Sequence, residues 1–325
     1  MVSVPGVEKR PASYDPYKTT LDGPCLAVAR QELHEDDHTR EPALAQFREF
    51  IAKHPQIVRC RTDSLFLLRF LRRHKFNVLA ACAMLEKYLE VLQTASDFFG
   101  KVDPQKLTPI IRDRVMVPLG QDQQGRLLVT IRFGEFDPKT TTPEQLSQLI
   151  ATVMETYLDQ ERFQVNGIVI IVDFLAASMA HFGIWTLPKL KLVMSATDDI
   201  LAFRVKQIHL VQLPKYAAMV ADFCIAALST KLQQRIKFHK TLDTLKDDID
   251  PEVLPTIYGG KQSLEEANDK FHKLALSQRD RFLKQSEMYI DLSIPAPNAK
   301  NANAALQSSV VDESVIGSFR KLNVD

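Results

Sequence analysis

Ile168-Val169-Ile170-Ile171-Val172-Asp173 is the stretch whose reading decides the fold. Five β-branched residues run together with no polar alternation, and a strand can be apolar at every position only where both its faces are covered. A second extended run, Gln207-Ile208-His209-Leu210-Val211, follows after a gap that holds a helix-like segment from Thr186 to about Ile200. Two apolar strands joined by a helical crossover read as a βαβ unit with parallel strands. The next segment, Tyr216 to Ser229, is apolar nearly all round. Such a helix normally sits deep in a core, yet Lys231, Arg235 and Lys237 follow at once, so this one ends at the surface. An apolar segment near the surface is expected to cover something apolar that comes and goes.

Working outward, Arg126 to Phe133 reads as a strand introduced by the Gln123-Gln124-Gly125 turn. Pro143 to about Phe163 reads as one long helix carrying Leu146, Ile150, Val153, Met154, Tyr157 and Leu158. Downstream, Ile236-Lys237-Phe238 suggests a short strand, and Leu264 to Met288 a polar helical stretch with periodic Phe271, Leu274 and Phe282. Upstream, Leu26 to Leu33 could form a short helix. Thr39 can cap a helix with Pro42 in its first turn, Asp63 a second and Asn77 a third, each followed by leucines or aromatics at helical spacing. The proline-bearing residues 1–25 read as a mobile arm. The expected organisation is therefore an arm (1–25), a helical unit (26–99), an α/β domain (100–280) and a C-terminal extension (281–325). The fold class is α/β, with a mixed, largely parallel sheet and a helical gate.

The chain has 325 residues, 45% hydrophobic and 25% charged, with a net charge of +1. Global attraction to nucleic acid is not supported, so only local basic clusters could matter. The first ten residues lack the apolar core of a signal peptide, and no apolar run approaches the ~20 residues of a membrane span. The four cysteines are widely spaced without metal-site spacing. A reducing, cytoplasmic setting and a monomeric state are expected.

His34-Glu35-Asp36-Asp37-His38 fits the H-E-x-x-H pattern of zinc proteases, which needs both histidines on one face of a continuous helix and a third ligand. The motif is polar and precedes a helix start at Thr39, so it reads as a solvated loop. Asp173, Ser178 and His181 could suggest a hydrolase triad, but a nucleophile elbow wants flanking glycines where Ala176 and Ala180 stand. No phosphate-cradling glycine motif occurs, and Gly259-Gly260-Lys261 reads as a turn. Neither catalysis, metal nor cofactor is expected.

Phe66-Leu67-Leu68-Arg69-Phe70-Leu71-Arg72 through Phe76 resembles the N-terminal helical signature of CRAL-TRIO proteins. Asn166-Gly167 with the apolar strand and Asp173, Ile208-His209-Leu210, and Leu254-Pro255 through Tyr258-Gly259-Gly260 resemble that family's lipid-binding domain, closest to its tocopherol-transfer and retinaldehyde-binding members. The likeness spans roughly residues 40–280. It implies a non-enzymatic carrier of one hydrophobic molecule, such as a tocopherol, retinoid or carotenoid. The ligand would lie in a closed cavity of roughly 300 Å³ or more and be exchanged at phosphoinositide-containing membranes, to which the protein binds peripherally. By position the resemblance assigns cavity walls to Ile168, Val172, Val193, Leu201, Phe203, Val205 and Ile208. It assigns the gate to about Pro214–Leu232, with Met219, Phe223, Ile225 and Leu228 facing inward. Arg204, Lys206, Lys231, Arg235, Arg72 and Lys75 would contact phosphate. Ile150 and Met154 occupy positions where the tocopherol carrier has serines, while Gln233 and His74 replace basic residues and Ala176-Ala177 an acid–glycine pair. A ligand of low polarity is therefore expected, or one whose hydroxyl is held elsewhere, for instance by Thr152 or Thr197. The rival reading is a phosphoinositide-responsive interaction module with no transported ligand.

Overall fold

The computed structural model describes residues 4–200 and 202–295, with the backbone alone at 197–200. The first half is helical. Helices α1 (Gly23–Leu33), α2 (Asp37–Lys53), α3 (Ser64–Arg73) and α4 (Val78–Thr94) are each opened by a side-chain cap. Asp22, Asp36, Asp63 and Asn77 accept from the backbone N–H three residues on, satisfying a donor the helix cannot. The start of α2 lies at Asp37 rather than Thr39, because Asp36 takes the cap. Strand β1 (Ile57–Arg59) sits between α2 and α3.

The second half alternates. After α5 (Thr108–Arg112) come β2 (Met116–Gln121), β3 (Leu127–Arg132), α6 (Pro143–Leu158) and α7 (Glu161–Asn166). Then follow β4 (Ile168–Asp173), α8 (Met179–Gly183), α9 (Leu187–Ile200), β5 (Val205–Val211), α10 (Ala218–Ala226) and α11 (Thr230–Gln233). The series ends with β6 (Ile236–His239), α12 (Leu242–Lys246), α13 (Leu264–Ser277), α14 (Arg279–Gln285) and β7 (Tyr289–Ile290). The long helix expected from Pro143 to Phe163 breaks after Leu158 into α6 and α7, and the polar stretch from Leu264 divides into α13 and α14.

Strands β2 to β6 form one five-stranded sheet in sequence order. The β2–β3 pair is antiparallel and the rest are parallel. Because β4 is central, its side chains alternate between two buried faces. Ile168 and Ile170 join a large core with Leu127 and Val129 of β3, Val153 of α6 and Phe66 and Phe70 of α3. Val169 and Ile171 join a second core with Leu245 of α12, Tyr258 and Leu264 of α13. Gly167 feeds β4 at φ +87°, and a Cβ there would lie 2.2 Å from the Arg204 carbonyl oxygen. Only glycine allows β4 and β5 to start side by side.

The helical unit and the sheet domain share the large core, which runs from Phe47 and Leu85 to Ile168 and Phe203 across position 99/100. The termini are drawn into the same body. The segment expected as a mobile arm is anchored from Val7 onward: Val7 is buried, and Asp15 accepts from the Ser64 backbone at 2.9 Å. Thr20 donates to Glu161 at 2.7 Å through both its backbone N–H and its hydroxyl. At the other end β7 pairs antiparallel with β1, burying Phe282, Met288 and Ile290. The C-terminal extension beyond 295 lies outside the described residues.

Candidate functional site

The sheet face that carries Ile168 and Ile170 keeps some exposed apolar surface. Ile131, Val172 and Ile208, on β3, β4 and β5, share the face of Ile168 and Ile170 yet are only half-buried. A side chain on a central strand keeps exposed area only where the layer above stands off. The crossover helix α9 turns Val193 and Ala196 toward Val91 and Ala95 of α4 and toward Phe98 and Phe99, rather than onto the sheet. Helix α10 has no buried residue. Its half-buried positions Val220, Ala221, Cys224 and Ile225, with Leu228 beyond its end, recur at helical spacing and mark its inner side.

Several expected wall residues lie elsewhere. Met219 is 82% exposed and Phe223 39%, so both sit on the outer side of α10, not facing a cavity. Ile168 and Phe203 are 0% and 1% exposed; both are packed core and border no open space. Val205 is likewise buried, and Val193 belongs to the α4 contact. Ile150 and Met154 line a separate cavity of about 40 Å³ with Tyr88, Leu92 and Phe99, room for a few waters and not for a lipid. The Thr152 hydroxyl is fully buried and donates to the Gln148 carbonyl at 2.8 Å, which removes it as a partner for a ligand hydroxyl. Leu201 and the Thr197 side chain lie outside the described residues.

An aromatic group holds the entry to α10. Phe133, at the end of β3, lies 4.9 Å from Phe182 of α8, and Phe182 meets the Tyr216 ring edge-on at 6.1 Å. The Tyr216 hydroxyl donates to the Ala177 carbonyl. Around this junction Leu175, Met179, Leu187 and Met219 are each more than half exposed.

At the other end of the gate segment cations converge. Arg204 and Lys206 both reach Glu32 of α1, Lys206 at 2.8 Å. The register shift that leaves Lys206 unpaired between Val205 and Gln207 permits this. Arg235 donates to the Val205 carbonyl and Arg204 to the Val165 carbonyl, which fixes both guanidiniums beside the strand starts. The Lys231 ammonium is pushed below its usual range, first by burial and then by repulsion from Arg235, Arg73, Lys75 and Arg204. Lys206 is lowered too, chiefly by burial, against the pull of Glu32. The segment thus gathers Arg204, Lys206, Lys231 and Arg235 in one place, with Glu32 against the first two.

Arg72 is not part of it. This side chain is fully buried and donates to Glu35 at 2.9 and 2.7 Å, to Glu161 at 2.8 Å and to Gln164 at 2.8 Å. One turn earlier, Arg69 is 0% exposed and binds Glu155 of α6 and Asp159 just beyond its end. Two arginines one turn apart thus staple α3 to the sheet domain. Arg73, the next residue, takes the place among the cations that the sequence reading gave to Arg72. The presence of Arg69 three residues before Arg72, on the leucine and phenylalanine face, was the available signal.

The other sharp motifs resolve into structural roles. His34 ends α1 with φ 60°, Asp36 caps α2, and Glu35 is buried between Arg72 and Arg40, so H-E-x-x-H is neither a metal helix nor a solvated loop. The Ser178 hydroxyl does bond His181 Nδ1 at 2.8 Å, but as the cap of α8; His181 Nε2 faces the Phe136 carbonyl at 3.1 Å. Asp173 instead accepts from the Tyr258 hydroxyl at 2.9 Å. Among the described residues, His209, His239 and Asp248 stand close enough to suggest a metal. Yet His209 Nδ1 and His239 Nε2 are 2.8 Å apart, with ring centroids 5.0 Å apart and planes 24° from parallel. The nitrogens meet nearly head-on, as in an N–H···N bond, with no space for an ion between them.

The sheet is mixed, and apolar side chains on its central strands stay half-buried while the apolar helix α10 has no buried residue. Residues 111–260 match the CRAL/TRIO domain. Clavesin-2 of Homo sapiens is 29% identical over 239 residues, covering 72% of this chain and 73% of that protein. Clavesin-1 of Xenopus laevis is 28% identical over 244 residues, covering 74% of each. The crystal structure of Sfh5 covers 81% of this chain and 99% of its own at 12% identity with a TM-score of 0.45, a likeness too slight to add to this. Among the described residues no helix is long and apolar enough to cross a membrane.

Proposed function

We propose that the protein carries one hydrophobic molecule between its sheet and α10 and exchanges it at phosphoinositide-containing membranes. The observation that carries this reading is the half-buried state of Val172 and Ile208, apolar side chains on central strands beneath a helix with no buried residue. Burying a lipid of several hundred Å² there at about 25 cal/mol/Å² offsets its loss of membrane contact, so exchange needs no energy source. The inner face offered to the guest is apolar, with Val172, Ile208, Ile225 and Leu228 among its members, which suits a tocopherol, retinoid or carotenoid. Docking would use both ends of the gate segment. Leu175, Met179, Leu187 and Met219 offer exposed apolar surface at one end. Arg204, Lys206, Lys231, Arg235, Lys75 and Arg73 offer charge at the other, each cation contributing on the order of 1 kcal/mol near an anionic leaflet.

Native mass spectrometry of the protein purified from a lipid extract tests the carrier reading. A single apolar adduct that exchanges into vesicles is the expected result. Absence of any adduct, with no saturable binding of tocopherol, retinoid or carotenoid, would leave the interaction-module reading in its place. Replacing Arg204, Lys206 and Arg235 by alanine should weaken binding to phosphoinositide vesicles while ligand affinity in solution stays level. Raised salt should have the same effect, because exposed charges are screened over about 8 Å at physiological ionic strength.

A further inference from the structure

The cation site is already occupied from within. Glu32, near the end of α1, is the carboxylate that Arg204 and Lys206 share. Its side chain remains 45% exposed, while those of the two cations are 12% and 23% exposed, so a carboxylate oxygen sits where an incoming phosphate oxygen would meet them. The carboxyl is held down at about 2, by the Lys206 hydrogen bond first and the Arg204 contacts after it, so it is charged throughout the physiological range. Helix α1 rests on a small satellite cluster, in which Ala29 and Leu33 meet Val165 of α7. Val165 is also the residue whose carbonyl fixes Arg204. Thr20 on Glu161 and Glu35 on Arg72 hold the chain on both sides of α1, so freeing the cations requires only that the half-exposed Glu32 side chain turn away.

We propose that Glu32 is an internal competitor that keeps Arg204 and Lys206 closed to singly charged anions and yields only to headgroups carrying several phosphate charges. This rests on the membrane-docking reading above. A tethered carboxylate competes at high effective concentration, so one external charge gains little by replacing it. A headgroup with two phosphomonoesters also engages Lys231, Arg235 and Lys75, which Glu32 leaves available, and so displaces it. Selectivity would then come from an acid on the N-terminal helix and not from the cations alone.

The test uses the full chain and the variants Glu32→Gln and Arg204→Ala/Lys206→Ala. Vesicles are phosphatidylcholine alone, with added phosphatidylserine, or with added bisphosphorylated phosphoinositide; inositol hexakisphosphate serves as a soluble probe. Glutamine keeps the shape of Glu32 and removes its charge. Binding of Glu32→Gln to phosphatidylserine vesicles should rise about two- to thirtyfold, the range that two partly exposed ion pairs supply together. Its preference for the bisphosphorylated lipid over phosphatidylserine should shrink correspondingly. A matching gain for the soluble probe assigns the effect to phosphate chemistry in general; a gain on vesicles alone assigns it to the membrane headgroup. Unchanged binding of Glu32→Gln to all vesicles, with binding still lost in Arg204→Ala/Lys206→Ala, overturns the competitor role and leaves membrane docking intact. Undiminished phosphoinositide binding by the double variant overturns both.

Discussion

Replacing Arg72 by alanine separates a core ion from a headgroup contact. The guanidinium is the common partner of Glu35 and Glu161, whose side chains are each 1% exposed. Removing it leaves Glu35 with Arg40 at 3.4 Å and Glu161 with Tyr17 and Thr20, partners that cannot replace a bidentate cation. Breaking a buried pair by removing one member costs about 3–5 kcal/mol, because the other charge stays buried. For a chain of this size, at about 2.1 cal/mol/K of unfolding entropy per residue, that corresponds to a melting temperature lowered by roughly 4–8 °C. The pH dependence follows from Glu161. Burial pushes its carboxyl up, but Arg72 and then Tyr17 and Thr20 hold it below the ordinary range. Without Arg72 burial dominates, the folded carboxyl titrates above the unfolded one near 4.3, and the variant's deficit narrows as pH falls through that raised value. Thermal denaturation at neutral and mildly acidic pH measures this, with vesicle binding of the folded fraction in parallel. A variant that melts like the wild type but loses phosphoinositide binding would refute the assignment of Arg72 to the core.

Gly167→Ala places a Cβ against the Arg204 carbonyl at a left-handed φ, so it should destabilise by at least about 2 kcal/mol and lower the urea midpoint. Met219→Ser together with Leu175→Ser touches only exposed side chains, so stability should change by less than about 0.5 kcal/mol per site while partition onto lipid vesicles falls; unaltered partition argues against docking at this end. Glu155 and Asp159 are raised by burial but lowered further by Arg69, Arg281 and, for Asp159, Arg61, so both titrate below their ordinary range in the folded chain. Their contribution is complete above the unfolded values near 4 and is lost as pH falls below them; denaturant midpoints measured from pH 7 to pH 3 should drop steeply at the acid end.

The sheet was legible because its signal is local. Five β-branched residues in a row admit few alternatives to a strand buried on both faces. The caps at Asp63 and Asn77 were legible for the same reason: each is one side chain bonding an N–H three residues away. The apolar character of α10 was equally plain, but its phase was not. Asp222, the helix's one charged residue, points outward and places Met219 and Phe223 with it; the sequence held that clue but not the position of the sheet that gives it meaning. The fate of the charged residues depended on the fold alone. Arg69, Arg72 and Arg73 are neighbours on one short helix, yet the first two are sealed among Glu35, Glu155, Asp159 and Glu161, while Arg73 lies near Lys231 of α11. Glu32 and Glu35 are as close in sequence, and one pairs with Arg204 and Lys206 while the other is buried on Arg72. Apolar patterning is set by the chain's own periodicity, so sequence determines it. The partner of a charge comes from segments far along the chain, and only the tertiary structure decides whether that charge is a staple or a site.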